Sequence, residues 1–130
     1  MQAVPSRTAM LAALARGWLR MEAERPWVLD DAFALVLIGP AWQELHSRVY
    51  SQFPDPVRRE VIAAICTRSR YCEDRLDTGA FAQYVILGAG LDSFAWRRPD
   101  LLRSLRVFEV DPLPPRPGSS NGSATSRCAQ

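Results

Sequence analysis

Tyr84-Val85-Ile86-Leu87-Gly88-Ala89-Gly90-Leu91-Asp92-Ser93 is the stretch on which the fold turns. From Gln83 to Leu87 the chain is β-branched or apolar without alternation, which predicts a strand buried in a parallel sheet. Gly88-Ala89-Gly90 predicts a tight turn off that strand, because glycine adopts backbone conformations that a Cβ penalises. Asp92 or Ser93 then starts a short helix, which Pro99 limits. Arg106 to Val110, RVFEV, predicts a second strand with Asp111 at its end. Strand, glycine turn, helix and strand make half of a mononucleotide-binding βαβ unit.

Each part of that unit has a physical task. Gly88 lets the chain turn sharply, and Gly90, lacking a side chain, lets a ligand approach the backbone. The helix start beyond presents unpaired N–H groups. Glu109 lies 19 positions after Gly90, near the roughly 20 expected of an acid that accepts from ribose hydroxyls. Strand alternation puts Glu109 and Asp111 on one face, so either is open to a structural role instead. A dinucleotide site needs a third glycine, and Ser93 stands there. Asp92 would repel a pyrophosphate but suits the ammonium and sulfonium of S-adenosylmethionine. It is equally placed to cap the helix. The balance moves from a nicotinamide dinucleotide toward a methyl donor.

Upstream, helices are predicted. Ser6 caps a helix from Arg7 to Glu24, with Leu11, Leu14, Trp18 and Met21 on the buried face and Arg16, Arg20 and Glu24 on a solvated one. Pro26 ends it. Asp30 or Asp31 caps an apolar helix through Ile38, stopped by Gly39-Pro40. Trp42 to Tyr50 predicts a third helix. Asp55 as N-cap and Pro56 at the first helical position begin a fourth, with Val57, Val61 and Ile65 stepping down it to at least Arg68.

Composition excludes several classes. The 130 residues fit one domain, and 48% hydrophobic with 23% charged is ordinary for a globular protein. All 16 basic residues are arginine, and the formal charge of +2 comes from Arg116 and Arg127 near the end. No basic stripe suits a nucleic-acid partner. Three cysteines, Cys66, Cys72 and Cys128, without CxxC spacing, argue against a disulfide framework or a metal site. No apolar run reaches membrane length, and no secretory signal is evident, so a cytoplasmic location without a membrane partner is expected. The single histidine, His46, stands outside every motif. The four tryptophans read as packing.

The segment QYVILGAGLDSFAWR resembles the first motif of the S-adenosylmethionine-dependent methyltransferases of the leucine carboxyl methyltransferase superfamily. The segment from Ser6 to Gly39 resembles that group's N-terminal helical cap, including the acidic pair Asp30-Asp31. TRSRYCEDRL resembles its R-x-R-x-x-E-D element, and VFEVDP its second strand and acidic end. The resemblance runs from Ser6 to Pro112 and implies an α/β fold: a helical cap (1–80), then the first βαβ part of a Rossmann-like domain (81–111). By the same resemblance, Gly88 and Gly90 shape the cofactor loop, Glu109 binds the ribose, and Asp111 helps hold the adenosine end. Arg68 or Arg70 pairs with the cofactor carboxylate through a fork that lysine cannot match. For these arginines a surface ion pair with Glu73 or Asp74 is the plain alternative. Arg97 matches a family arginine of unassigned role. The implied reaction is methyl transfer from S-adenosylmethionine to an oxygen of a small molecule or carboxylate.

The resemblance stops at Pro112. PLPPRPGSSNGSATSRCAQ has four prolines, four serines and one large aliphatic residue, Leu113, so 112–130 is expected to be disordered. The family continues with the strands and helices that complete a seven-stranded sheet and its substrate site. The sequence therefore reads as a truncated member, its end that of a frameshifted or misplaced terminus or, as the other option, a linker to a further domain. It assigns no catalytic base, no metal ligand and no oligomeric state. A remnant that neither binds nor catalyses, and a fragment of a nicotinamide-linked oxidoreductase, are the alternatives.

Overall fold

A computed structural model describes residues 5–112 and 124–129. Helix α1, Arg7–Glu22, begins on the Ser6 hydroxyl, which accepts the Ala9 N–H at 3.1 Å. Toward the C-terminus of α1, Gly17 permits a close crossing with helix α2, Ala34–Ile38. A Cβ there would fall 2.6 Å from Leu35 Cγ and Cδ2. Asp31 starts α2 by accepting the Phe33 and Ala34 N–H groups at 3.1 and 3.0 Å. Gly39, at φ 81°, ends it. Helices α3, Trp42–Gln52, and α4, Asp55–Leu76, complete the helical layer. Leu14, Trp18, Leu29, Ile62 and Cys66 form its core.

Three details of the helices differ from the sequence reading. Arg16, assigned to a solvated face, is 6% exposed, whereas Met21, assigned to the buried face, is half exposed. Arg16 can be inside because Asp31 and the Leu91 carbonyl receive its guanidinium. On α4 the buried row is Arg58, Ile62, Cys66, Glu73 and Leu76, one position off the Val57-Val61 row, which is exposed. Asp55 gives α4 no side-chain cap and instead pairs with Arg58 and Arg59.

Strand β1, Gln83–Leu87, pairs in parallel with β2, Arg106–Pro112, with Ile86 opposite Glu109 and Leu87 opposite Val110. Between them lie helix α5, Phe94–Arg97, and a 3₁₀ turn, Leu101–Arg103. Leu76, Phe94, Leu105 and Val107 form a second core under one face of the sheet, joined by Tyr84 and Ile86. The chain is thus helical with a small parallel pair, an α/β arrangement. β1 is not buried on both faces, however. Val85 is half exposed and Leu87 78% exposed, because strand burial depends on a second covering layer that the described residues do not supply.

Strand β3, Ala124–Ala129, pairs antiparallel with β2, giving the order β1-β2-β3. Disorder over 112–130 is therefore corrected at Pro112 and at Ala124–Ala129. The composition of that segment bears on side-chain burial, whereas pairing to β2 uses only backbone N–H and C=O groups. Residues 113–123 and 130 lie outside the described residues.

Candidate functional site

The glycine turn leaves the end of β1 and is held by the end of β2. Gly88 and Gly90 sit at φ 68° and 54°, in the left-handed region that favours glycine. The Gly88 N–H donates to the Val110 carbonyl at 2.6 Å. The Gly90 N–H donates to both oxygens of Asp111, at 2.9 and 3.1 Å. Space beside Gly88 is open, with no atom within 4 Å of where a Cβ would stand. Gly90 is different, since a Cβ there would lie 2.7 Å from the Ala9 Cβ of α1. The close neighbour of Gly90 is therefore a helix of the same chain.

The other sequence-selected residues divide. Asp92 Oδ1 accepts the Phe94 N–H at 2.7 Å and so starts α5. Glu109 is half-buried in β2, opposite Ile86. Arg70 lies on exposed α4 surface and pairs with Asp74 at 2.6 Å. Arg68 is exposed on the same helix. Hydrogen bonds tie Gly90 to Asp111 and Gly88 to the adjacent Val110, and the two arginines are not among these partners.

Behind the turn lies a buried network whose roles sequence reasoning missed. Arg16 Nε donates to Asp31 Oδ2 at 2.8 Å and its Nη2 to the Leu91 carbonyl at 2.5 Å. Ser93 Oγ donates to the same Asp31 oxygen at 2.5 Å and accepts from Arg97 Nε at 2.9 Å. Arg97 then forks onto Glu73 at 2.7 and 3.1 Å. Two arginines and two carboxylates balance in charge, as buried ions must. Ser93, the residue that breaks the dinucleotide pattern, is fully buried at the centre of these contacts. Asp31, too, is 1% exposed. Burial works to raise its pKa, but hydrogen bonds from Ser93 and Arg16 and the charges of Arg16 and Arg97 hold it below the ordinary value. One signal of the close approach was present in the sequence. Ala9, Ala13 and Gly17 recur every fourth position, a small-residue stripe on α1 that meets the turn and α2.

Two other titratable groups of the described residues, Tyr84 and His46, stand apart from this network. Burial pushes Tyr84 up to about 12, so its phenol stays protonated at neutral pH. His46, partly buried, packs at a tilt against Trp18 of the helical core, with ring centroids 4.3 Å apart. Trp96, read as packing, is half exposed and meets Phe33 edge-on. Among the described residues no acid, histidine or cysteine cluster could hold a metal, and no helix is long and apolar enough to cross a membrane.

A family model described as leucine carboxyl methyltransferase matches residues 9–114. A Bacillus subtilis (strain 168) protein, YktD, named as an S-adenosyl-L-methionine-dependent methyltransferase, is 58% identical over 48 residues. That match covers 34% of this chain and 16% of the relative. No solved structure matches the chain.

Proposed function

The chain belongs to the leucine carboxyl methyltransferase family, and from that premise we propose that its glycine turn and the end of β2 bind S-adenosylmethionine for methyl transfer to an oxygen of a small molecule or carboxylate. The observation that carries this is the Asp111–Gly90 contact. It supports a ligand crevice at the carboxyl ends of parallel strands, where open α/β sheets bind nucleotides. The β1-α5-β2 unit is read as the first part of a Rossmann-like domain and the preceding helices as its cap.

The residues suit the cofactor chemically. Open space beside Gly88 admits a ligand against the backbone. Glu109 would accept from the ribose hydroxyls, with Asp111 fixing the turn beside it. Asp92 has one oxygen on the Phe94 N–H and would offer the other to the ammonium group. Arg68 or Arg70 would receive the carboxylate. The exposed Arg70–Asp74 pair is no obstacle, since such helix pairs contribute only about 0.3–0.5 kcal/mol. S-adenosylmethionine supplies a methyl group on a sulfonium that is already a good leaving group. The protein's task is then alignment and exclusion of water.

Calorimetry with S-adenosylhomocysteine and with NAD separates the readings. We expect the first to bind, the second not to bind, and Glu109→Gln to weaken the first. Binding of NAD alone would favour an oxidoreductase fragment, and binding of neither a non-catalytic remnant.

A further inference from the structure

We propose that Asp31 is a positioning residue for the cofactor turn, acting from the helical segment through Ser93 and Arg16. This rests on the reading of that turn as the S-adenosylmethionine site. The turn has two ends to hold. β2 holds one, through Asp111 on the Gly90 N–H and the Val110 carbonyl on the Gly88 N–H. The other end, at Leu91 and Ser93, is held by Arg16 and Asp31, at 2.5 Å each. Asp31 Oδ2 receives both the Arg16 Nε and the Ser93 hydroxyl. One oxygen therefore ties α1 to the residue that begins α5. The other oxygen caps α2, so the carboxylate is itself fixed by a helix start.

The consequence for binding follows from preorganisation. A turn already held in its bound shape spares the ligand the cost of ordering it. Removing the Asp31 charge leaves Arg16 buried without its carboxylate partner, while Arg97 keeps Glu73. The far end of the turn would then be free to shift while the β2 end stays paired. The helical segment is on this view part of the ligand site, and residues that touch no ligand set its affinity.

Two variants of the full chain test this. Asp31→Asn keeps the size but replaces the shared acceptor with a donor. Ser93→Ala leaves the Arg16–Asp31 pair and the Arg97–Glu73 fork intact and removes the bridge together with the acceptor of the Arg97 Nε–H, which guards against a variant that fails to fold. Two readouts are needed. Hydrogen exchange without ligand compares the Asp92 and Phe94 amides with those of the β1–β2 ladder. Calorimetry measures S-adenosylhomocysteine affinity. We expect faster exchange at Asp92 and Phe94 with the ladder unchanged, and about tenfold weaker binding in Ser93→Ala, measured well below its melting midpoint, where the chain is fully folded. Unchanged exchange at the turn overturns the positioning role, whatever the affinity. Unchanged affinity with faster exchange overturns it as well. Failure of the unsubstituted chain to bind overturns the cofactor reading itself, and the proposal falls with it.

Discussion

Ala9 of α1 packs into the space where Gly90 lacks a side chain, 2.7 Å from where a Cβ would stand. Two constraints therefore meet at one glycine, its left-handed backbone at φ 54° and the approach of a helix. They can be separated. Gly90→Ala is expected to cost about 1–2 kcal/mol for the backbone alone, and more with the Ala9 contact. Gly90→Ala with Ala9→Gly should recover the contact and leave the backbone cost. Urea unfolding of the four chains measures the coupling. A double variant as unstable as the sum of the two singles would show that α1 does not constrain Gly90.

Glu73 and Arg97 form a buried fork, with Ser93 and Asp31 behind it. Breaking one partner leaves a charge inside the protein, at a cost of about 3–5 kcal/mol. Glu73→Gln and Arg97→Met are each expected in that range by urea unfolding. Arg97→Lys should also destabilise, because an ammonium cannot span both Glu73 oxygens and Ser93. A loss under about 1 kcal/mol in Arg97→Met would mean the fork behaves as a surface pair.

How much of this was legible in the sequence depends on how local the signal is. The β1-turn-α5-β2 order was readable because each element is announced by its own residues, as with Gly88 after Leu87 and Pro99 after Arg97. Ser6 as a cap was readable for the same reason, and the second cap was narrowed to Asp30 or Asp31, of which Asp31 takes the role. Arg16 was misplaced because helical periodicity sorts by polarity. Its partners, Asp31 and the Leu91 carbonyl, are 15 and 75 residues away, and only such partners make burial tolerable. Leu87 was misplaced for the converse reason, since an apolar strand is buried only when something covers it. Ser93 was noticed for the glycine it replaces. Its hydroxyl's two partners, Asp31 and Arg97, come from different elements and leave no local pattern. Arg70 shows a fourth case, where both readings of the sequence fit the observed pairing with Asp74 until a ligand is added.

Cys66 should be chemically silent in the folded chain. It is fully buried against α1, with its thiol 3.9 Å from the Ala15 carbonyl, and burial pushes its pKa up to about 11. At about pH 8 only about a thousandth of such a thiol is ionised, and the thiolate is the nucleophile. Iodoacetamide followed by peptide mass spectrometry should label Cys72, which is partly exposed, well before Cys66. Equal labelling of the two without denaturant would mean that α1 and α4 separate readily.

Asp31 also gives the fold an acid-sensitive element. The groups facing its carboxylate are Arg16, Arg97 and Ser93, with Cys66 and Glu73 nearby in the same network. Its folded pKa lies below the ordinary 3.8, so the folded state favours the ionised form. The sign follows from proton linkage. Below 3.8 the unfolded chain binds the proton first, so the stabilisation is complete at higher pH and is lost as pH falls through the folded value. Asp77 and Asp100, both lowered by Arg98, act in the same direction, but they are exposed and solvent screening makes their contribution small. Asp31→Asn is therefore expected to be less stable than the unsubstituted chain at neutral pH, with a gap that narrows toward about pH 3. Urea unfolding across that range measures the gap. A gap that stays constant with pH would show that the charge of Asp31 contributes nothing and that only its hydrogen-bonding shape matters.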